Sequence, residues 1–345
     1  MPSTYTTVES EYSAARKYAA FFDFSDFGKL RIAGKDALDL LNRISTNDLN
    51  GLTPGMGKLT FLATEKGRVV DLCAVYVQQK DLLLLTSPNN SANVKKWIEK
   101  FIISDDVKVE DITDLRPMLL VAGTSAAEFL KEVTHSSHKT LLDLSKMPRH
   151  NFIRTFLSED EVFLARTNMV MNDGFIIILN KNDGGTVWNL LLDYSKTYGA
   201  APAGAETFEI LRIENGTPLY PYELNEDVNP WEVNIIDAIN DRKGCYVGQE
   251  VIARLQTYDK VKRKLFGLSS LSRMPRGSKV YSNSPADTNE TEIGLVTSSG
   301  RSPGLNKEIA LAYISMKQVT LGSKYIVKVG GQNVEAELST LPFLI

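Results

Sequence analysis

Only two cysteines, Cys73 and Cys245, occur in the 345 residues, and neither stands in a CxxC or in a close Cys/His pair. A disulfide framework is not expected, and one copy of the chain cannot build a four-thiolate zinc or iron–sulfur centre. Histidine is equally sparse, with three in all. Two of them, His135 and His138, lie in the polar stretch THSSHKT with no carboxylate beside them, so the reading is a surface loop and no metal site. Excess charge is missing too. Thirty-nine basic and 42 acidic residues leave −3, which supplies no general attraction to nucleic acid or anionic membrane. The longest apolar runs, Asp81 to Thr86 and Phe175 to Leu179, fall far short of the roughly 20 residues a membrane-spanning helix needs. They read as buried strands. The first 25 residues lack an apolar core followed by a cleavage site, and Glu9 and Glu11 argue against an acidic-poor transit peptide. The expectation is a cytoplasmic bacterial protein.

What is present describes a folded chain. Hydrophobic residues make up 43% and charged residues 23%, the proportions of globular proteins, and the length accommodates two or three domains. Glu9 to Phe22 reads as a helix, with Tyr12, Ala15, Ala19 and Phe22 at helical spacing. A strand at Lys29 to Ile32, a helix over Gly34 to Ile44 and a strand meander from Lys58 to Thr86 follow. Ser91 to Phe101 is again helical, then a strand at Met118 leads to a helix from Ala126 to Val133. Strands resume from Phe152 to Ala165 and on both sides of Asn172–Asp173–Gly174, a hairpin signal. Val187 to Tyr198 and Ala205 to Glu214 read as helices. From Val261 onward, Gly, Pro and Ser at short intervals between strand-like runs predict a small all-β domain. The basic run Lys260 to Lys264 reads as a solvated strand and its rim, in preference to an RNA site.

One segment combines chemistry-bearing residues. In Asp241–Arg242–Lys243–Gly244–Cys245–Tyr246–Val247–Gly248–Gln249–Glu250, two cations precede the cysteine and a helix-like stretch, QEVIARL, follows Gly248. A thiol so placed would have its thiolate favoured by positive charge and by unpaired helix N–H groups. The opposite reading, a cysteine that serves as a small inert hydrophobe, stays open on composition alone. Cys73, inside the apolar run VVDLCAVYV, is read as plain core.

The run KGCYVGQE at 243–250, followed by Arg254, resembles the K-G-C-[FY]-x-G-Q-E signature of the YgfZ family, folate-binding relatives of the glycine-cleavage T-protein, an aminomethyltransferase. Further blocks match the same superfamily in order: Phe22 to Lys29, Gly34 to Ala37, Thr46 to Asp48, Gly67 to Asp71, Asp173 to Phe175, Leu211 to Glu214 and Asn229 to Glu232. The resemblance implies an α+β fold with a T-protein-like ring of three subdomains and a small C-terminal β-barrel. Residues 1–258 would form the folate-binding region, as two interleaved α+β subdomains, and 259–345 the barrel. It implies tetrahydrofolate or another reduced folate as cofactor. It also implies an accessory role in iron–sulfur cluster assembly or repair, with iron–sulfur enzymes or assembly factors as partners, tRNA-modifying enzymes among those served, and no direct contact with nucleic acid. Cys245 would be the reactive thiol, supported by Lys243, Gly244, Tyr246, Gly248, Gln249, Glu250 and Arg254.

Carried over residue by residue, the same resemblance makes Asn90, Asn172, Arg212 and Glu206 the candidate folate contacts. For Arg212 an ion pair with Glu209 or Glu214 is an equal reading, and Asn172 also suits a plain hairpin turn. Two departures from the T-protein stand out. Val94 falls where the comparison places a catalytic aspartate, and Asn172 replaces a glutamate that would grip the pterin. An alternative function, folate-dependent aminomethyl or methyl transfer, requires another residue to replace that aspartate.

Overall fold

The structure is a computed structural model that describes residues 1–135, 143–171, 173–181, 183–282 and 291–343. Helix α1 (Val8–Lys17) opens at Thr7, whose side chain accepts a hydrogen bond from the Ser10 N–H at 3.2 Å. The spacing of apolar residues carries this helix on to Phe22, but the chain leaves it after Lys17 and enters strand β1 (Ala20–Asp23). Ala20, Phe21 and Phe22 are all fully buried. A continuous apolar run covered on both sides suits an interior strand, whereas a helix of this kind would keep one wet face.

The next stretch builds one sheet of its own. Strands β2 (Phe27–Ala33), β3 (Gly57–Ala63), β4 (Val69–Val77), β5 (Leu82–Pro88) and β6 (Lys108–Asp111) lie in the order β3-β4-β5-β2-β6. Helices α2 (Ala37–Arg43) and α3 (Ser91–Glu99) pack on one face, where Leu40, Leu41, Trp97 and Ile98 meet Leu30, Cys73, Val75 and Leu84. The alternation within β4 places Cys73 in that apolar layer, as its surroundings in the sequence imply.

A second sheet closes around the insertion. Strands β7 (Met118–Ala122), β8 (Phe152–Leu157), β9 (Asp160–Thr167), β10 (Gly174–Ile178) and β11 (Ala201–Pro202) join β1 in the order β11-β1-β7-β10-β9-β8. The β1–β11 pair is parallel, and β1–β7, β7–β10, β10–β9 and β9–β8 are antiparallel. Helices α4 (Ala126–His135) and α5 (Gly184–Tyr198) contribute Leu130, Val133, Val187 and Leu191 to its core. His138 and Asn172 lie outside the described residues.

Helices α6 (Ala205–Asn215), α7 (Pro230–Val233) and α8 (Gln249–Thr257) precede the last strands. The short α7 starts with a full capping box, Asn229 accepting from the Glu232 N–H while the Glu232 side chain accepts from Asn229 N. Strands β12 (Arg263–Ser270), β13 (Lys279–Tyr281), β14 (Glu292–Ser302), β15 (Lys307–Ser315), β16 (Lys324–Val329) and β17 (Gln332–Ser339) then form a closed barrel. Its interior holds Leu268, Val296, Ala312 and Val327. The chain divides into two compact units. The first takes Met1–Thr64, Val70–Phe208 and Asp237–Val247, and the second takes Glu65–Val69, Glu209–Ile236 and Gly248–Ile345. The boundary expected at 258/259 lies between the end of α8 and the first barrel strand. Among the described residues, no helix is long and apolar enough to cross a membrane.

The packing of α3 changes the meaning of Val94. Its side chain is fully buried in the layer formed by Leu40, Trp97 and Ile98. A carboxylate there would face hydrocarbon. The chain thus carries no carboxylate at the position where the resemblance to the T-protein places one. Val94→Asp should destabilise the protein by about 3 kcal/mol or more, because it buries an unpaired charge. Urea unfolding measures this, and a loss below about 1 kcal/mol would mean that position 94 reaches water or a partner.

Candidate functional site

The segment around Cys245 is held by one corner of the first unit, the turn between α2 and β3. Thr46 Oγ1 donates to Ala238 O at 2.7 Å, and Asn47 Nδ2 donates to Asp237 O at 2.7 Å. The Asn240 N–H reaches Thr46 O, and the Val247 N–H reaches Arg43 O, each at 3.0 Å. Between these ties, the Lys243 ammonium donates to Asn42 O at 2.7 Å, to Ser45 O at 2.9 Å and to Asn47 O. Helix α2 ends at Arg43, so its last carbonyls lack intrahelical partners and carry the negative end of the helix dipole. A buried cation meets both needs. Burial lowers the Lys243 pKa to about 8, with Asp48 acting in the opposite direction.

Lys243 is thus spent on the fold. Its three ammonium protons point at carbonyls, so it is not the thiolate-stabilising neighbour that its position in the sequence suggests. Tyr246 packs with it, the ammonium lying 5.3 Å from the ring centroid, and burial pushes the phenol up to about 12. Gly244 and Cys245 are exposed, and a side chain at 244 would meet nothing within 4 Å. Arg242 is exposed as well, its N–H tied to Asn240 Oδ1 at 2.9 Å. Gly248, with φ of +80°, precedes α8 in the left-handed conformation that glycine tolerates. Gln249 is the first helical residue, and Glu250 pairs with Arg254 one turn on at 2.6 Å. Cys73 is the opposite case, fully buried, with its thiol pushed well above the ordinary range by burial.

The candidate folate contacts fare differently. The Asn90 amide donates to Val70 O at 3.3 Å and to Asp71 Oδ2 at 3.1 Å, and its oxygen accepts from Asn93 at 3.1 Å. Asp71 also accepts from Ser87 N, Ser87 Oγ and Leu72 N, and burial raises its carboxyl to about 6. Arg212, in the second unit, is fully buried. Its Nε and Nη2 grip Glu209 at 2.6 and 2.5 Å, Nη1 reaches Glu223 at 3.2 Å and Thr217 O at 3.1 Å, and Nη2 also reaches Ser298 at 2.6 Å. Five donors meet five acceptors, so the ion pair with Glu209 is present and no N–H is left for a ligand. Glu206 is exposed and accepts from the Ser3 hydroxyl. Asn90 and Glu206 belong to the first unit and Arg212 to the second. Sequence reasoning passed over Asp71 and Lys29, although a charge inside each apolar strand was a visible signal.

Residues 1–243 match the family model described as the GCVT N-terminal domain, and residues 263–344 match the glycine cleavage T-protein C-terminal barrel domain. The chain is 30% identical to an aminomethyltransferase of Bacillus pumilus, over 99% of this chain and 92% of the relative. It is likewise 30% identical to that of Thermotoga maritima, over 99% and 91%. In fold it resembles the crystal structure of glycine cleavage system aminomethyltransferase T from Bartonella henselae, with a TM-score of 0.86, 22% identity, and coverage of 100% and 91%. The expected α+β architecture with a C-terminal barrel is therefore present.

Two buried lysines make the stability of this fold depend on pH. Lys29, buried in β2, donates to Ser25 O at 2.9 Å, and burial lowers it to about 8, as it does Lys243. A lysine depressed in the folded state contributes stability above its unfolded pKa, and that contribution is lost as pH falls through about 8. Urea midpoints should rise from pH 7 to pH 10, and Lys29→Met should remove part of the rise, about 2–3 kcal/mol. Tyr246 acts in the opposite direction only above the unfolded phenol pKa of about 10. An unchanged slope in Lys29→Met would mean that Lys29 keeps its charge and its water.

Proposed function

The chain belongs to the glycine cleavage T-protein family, and from that membership we propose that it binds a reduced folate and carries out folate-dependent transfer of a one-carbon unit. The observation that carries this reading is similarity to aminomethyltransferases along 99% of the chain. With Val94 where the resemblance places the catalytic aspartate, another residue has to supply that carboxylate's part. Arg212 and Asn90 do not fit a folate as direct contacts, since their polar groups are committed within the protein. Calorimetry with tetrahydrofolate should give saturable binding, and purified protein should turn over a carrier loaded with an aminomethyl group. No heat at millimolar folate, at two temperatures, would remove folate binding; heat without turnover would remove transfer.

A second reading is favoured by the Cys245 loop. Here the protein is a cytoplasmic, tetrahydrofolate-binding accessory of the YgfZ kind that supports iron–sulfur enzymes, including those that modify tRNA. The observation behind it is a thiol exposed on a loop that Lys243 holds in place. At neutral pH, iodoacetamide should label Cys245 at least tenfold faster than the buried Cys73. Cys245→Ala should keep stability within about 1 kcal/mol, yet fail to restore iron–sulfur enzyme activity in a deletion strain. Full restoration by the alanine variant would leave one-carbon transfer as the sole reading.

A further inference from the structure

A cleft of about 470 Å³ opens in the first unit where the two sheets face each other, away from every sequence block that carries the family resemblance except the rim of β2. One wall is a cross-strand pair of the first sheet, Arg31 and Leu83. The facing wall is a row of the second sheet, Arg154 paired with Phe163, and Phe163 paired with Ile178. Tyr76 abuts Phe163 edge-on, with ring centroids 5.2 Å apart. Its buried hydroxyl has no hydrogen-bond partner among the described residues.

The charges lining the cleft are not equally occupied. Arg31 is matched by Asp81 at 2.6 Å and Glu110 at 3.7 Å. Arg154 is matched by Glu161 at 3.3 Å and by the Gln78 oxygen at 2.6 Å. Arg116 enters the same cleft just before β7, half-buried, and no carboxylate lies within ion-pair distance of it among the described residues. Its Nε–H is buried without an acceptor. Burial and the positive charge of Arg154 both weigh against its cation, more than the distant Asp183, Glu161 and Asp81 favour it. A desolvated guanidinium with a free donor beside a second guanidinium is short of one anion, and its planar fork suits a carboxylate. The remaining lining is apolar at Leu83, Ile112, Leu115, Phe163 and Ile178 and polar at Gln79 and Lys80. The volume lies within the range of small-molecule pockets, roughly 300–1,000 Å³.

We infer that this cleft binds a small carboxylic acid with an apolar or aromatic body, the carboxylate on Arg116 and the body between Leu83 and Phe163. The site is separate from the folate reading and does not depend on it. The full chain, titrated with 4-fluorobenzoate and followed by fluorine NMR, should show saturable binding that weakens as salt is raised. Arg116→Gln should weaken it at least tenfold, and Arg116→Lys, which keeps the charge but not the fork, should fall between. Arg154→Gln, on a more exposed side chain, should also weaken binding and guards against misfolding of the Arg116 variants. Probe binding should persist when the protein is saturated with tetrahydrofolate. The inference is overturned if 4-fluorobenzamide binds as well as the acid, if inorganic phosphate competes at equal concentration, if tetrahydrofolate displaces the probe, or if a folded Arg116→Gln binds unchanged.

Discussion

One backbone carbonyl of the last turn of α2 and two of the loop after it converge on one ammonium, and that convergence organises the only loop that presents a thiol to solvent among the described residues. Neither side is stable alone. The carbonyls of Asn42, Ser45 and Asn47 would be left without donors, and a lysine buried to this degree would shed its proton without acceptors. Together they fix the backbone on either side of residue 243, with Asn240 and Val247 tied to the same corner. Tyr246 covers the ammonium from its ring face. The chain from 237 to 247 is thus positioned by contacts some two hundred residues away in sequence.

The same economy governs Glu11, Arg212 and Asp71. Glu11, fully buried in α1, accepts from Tyr5 N, Thr6 N, Gly204 N and Thr207 Oγ1 at 2.6 to 2.9 Å, which fastens the amino-terminal segment to the start of α6. Arg212 is saturated by two glutamates, a serine and a carbonyl. Asp71 ties β4 to the corner between β5 and α3. A buried charge with every lone pair or proton engaged is a structural member, and removing its partner would leave it costly and unpaired. Arg116 breaks that pattern, with a buried donor and no acceptor. Arg166 also leaves its Nε without an acceptor, but its other two nitrogens are engaged by Ser145 O, Met147 O and Asp173.

Much of the architecture was legible because it is written in local periodicity. The meander β3–β4–β5, helices α2, α3, α5 and α6, and the all-β end follow from spacing of apolar residues and turn chemistry. The helix drawn through Ala20 to Phe22 failed where a short apolar run fits either period, and tertiary burial decided it. The burial of Cys73 was readable from its neighbours. Side-chain commitments were not. That Lys243 serves α2, that Arg212 spends five donors internally, and that Val94 faces hydrocarbon all depend on contacts distant in sequence.

A motif also mixes residues of two kinds, and only their surroundings separate them. In KGCYVGQE, Lys243 and Tyr246 are buried or half-buried and hold the loop, while Glu250 and Arg254 pair with each other along the outside of α8. Gly244 and Cys245 touch solvent, with space around residue 244 that a side chain would not fill. Gly248 is needed for its positive φ, whatever the loop does. An exposed sulfur adds little apolar burial and no hydrogen bond of consequence, so the fold would lose almost nothing by its replacement. The stability of the loop therefore accounts for Lys243 and Tyr246 and gives no account of the cysteine.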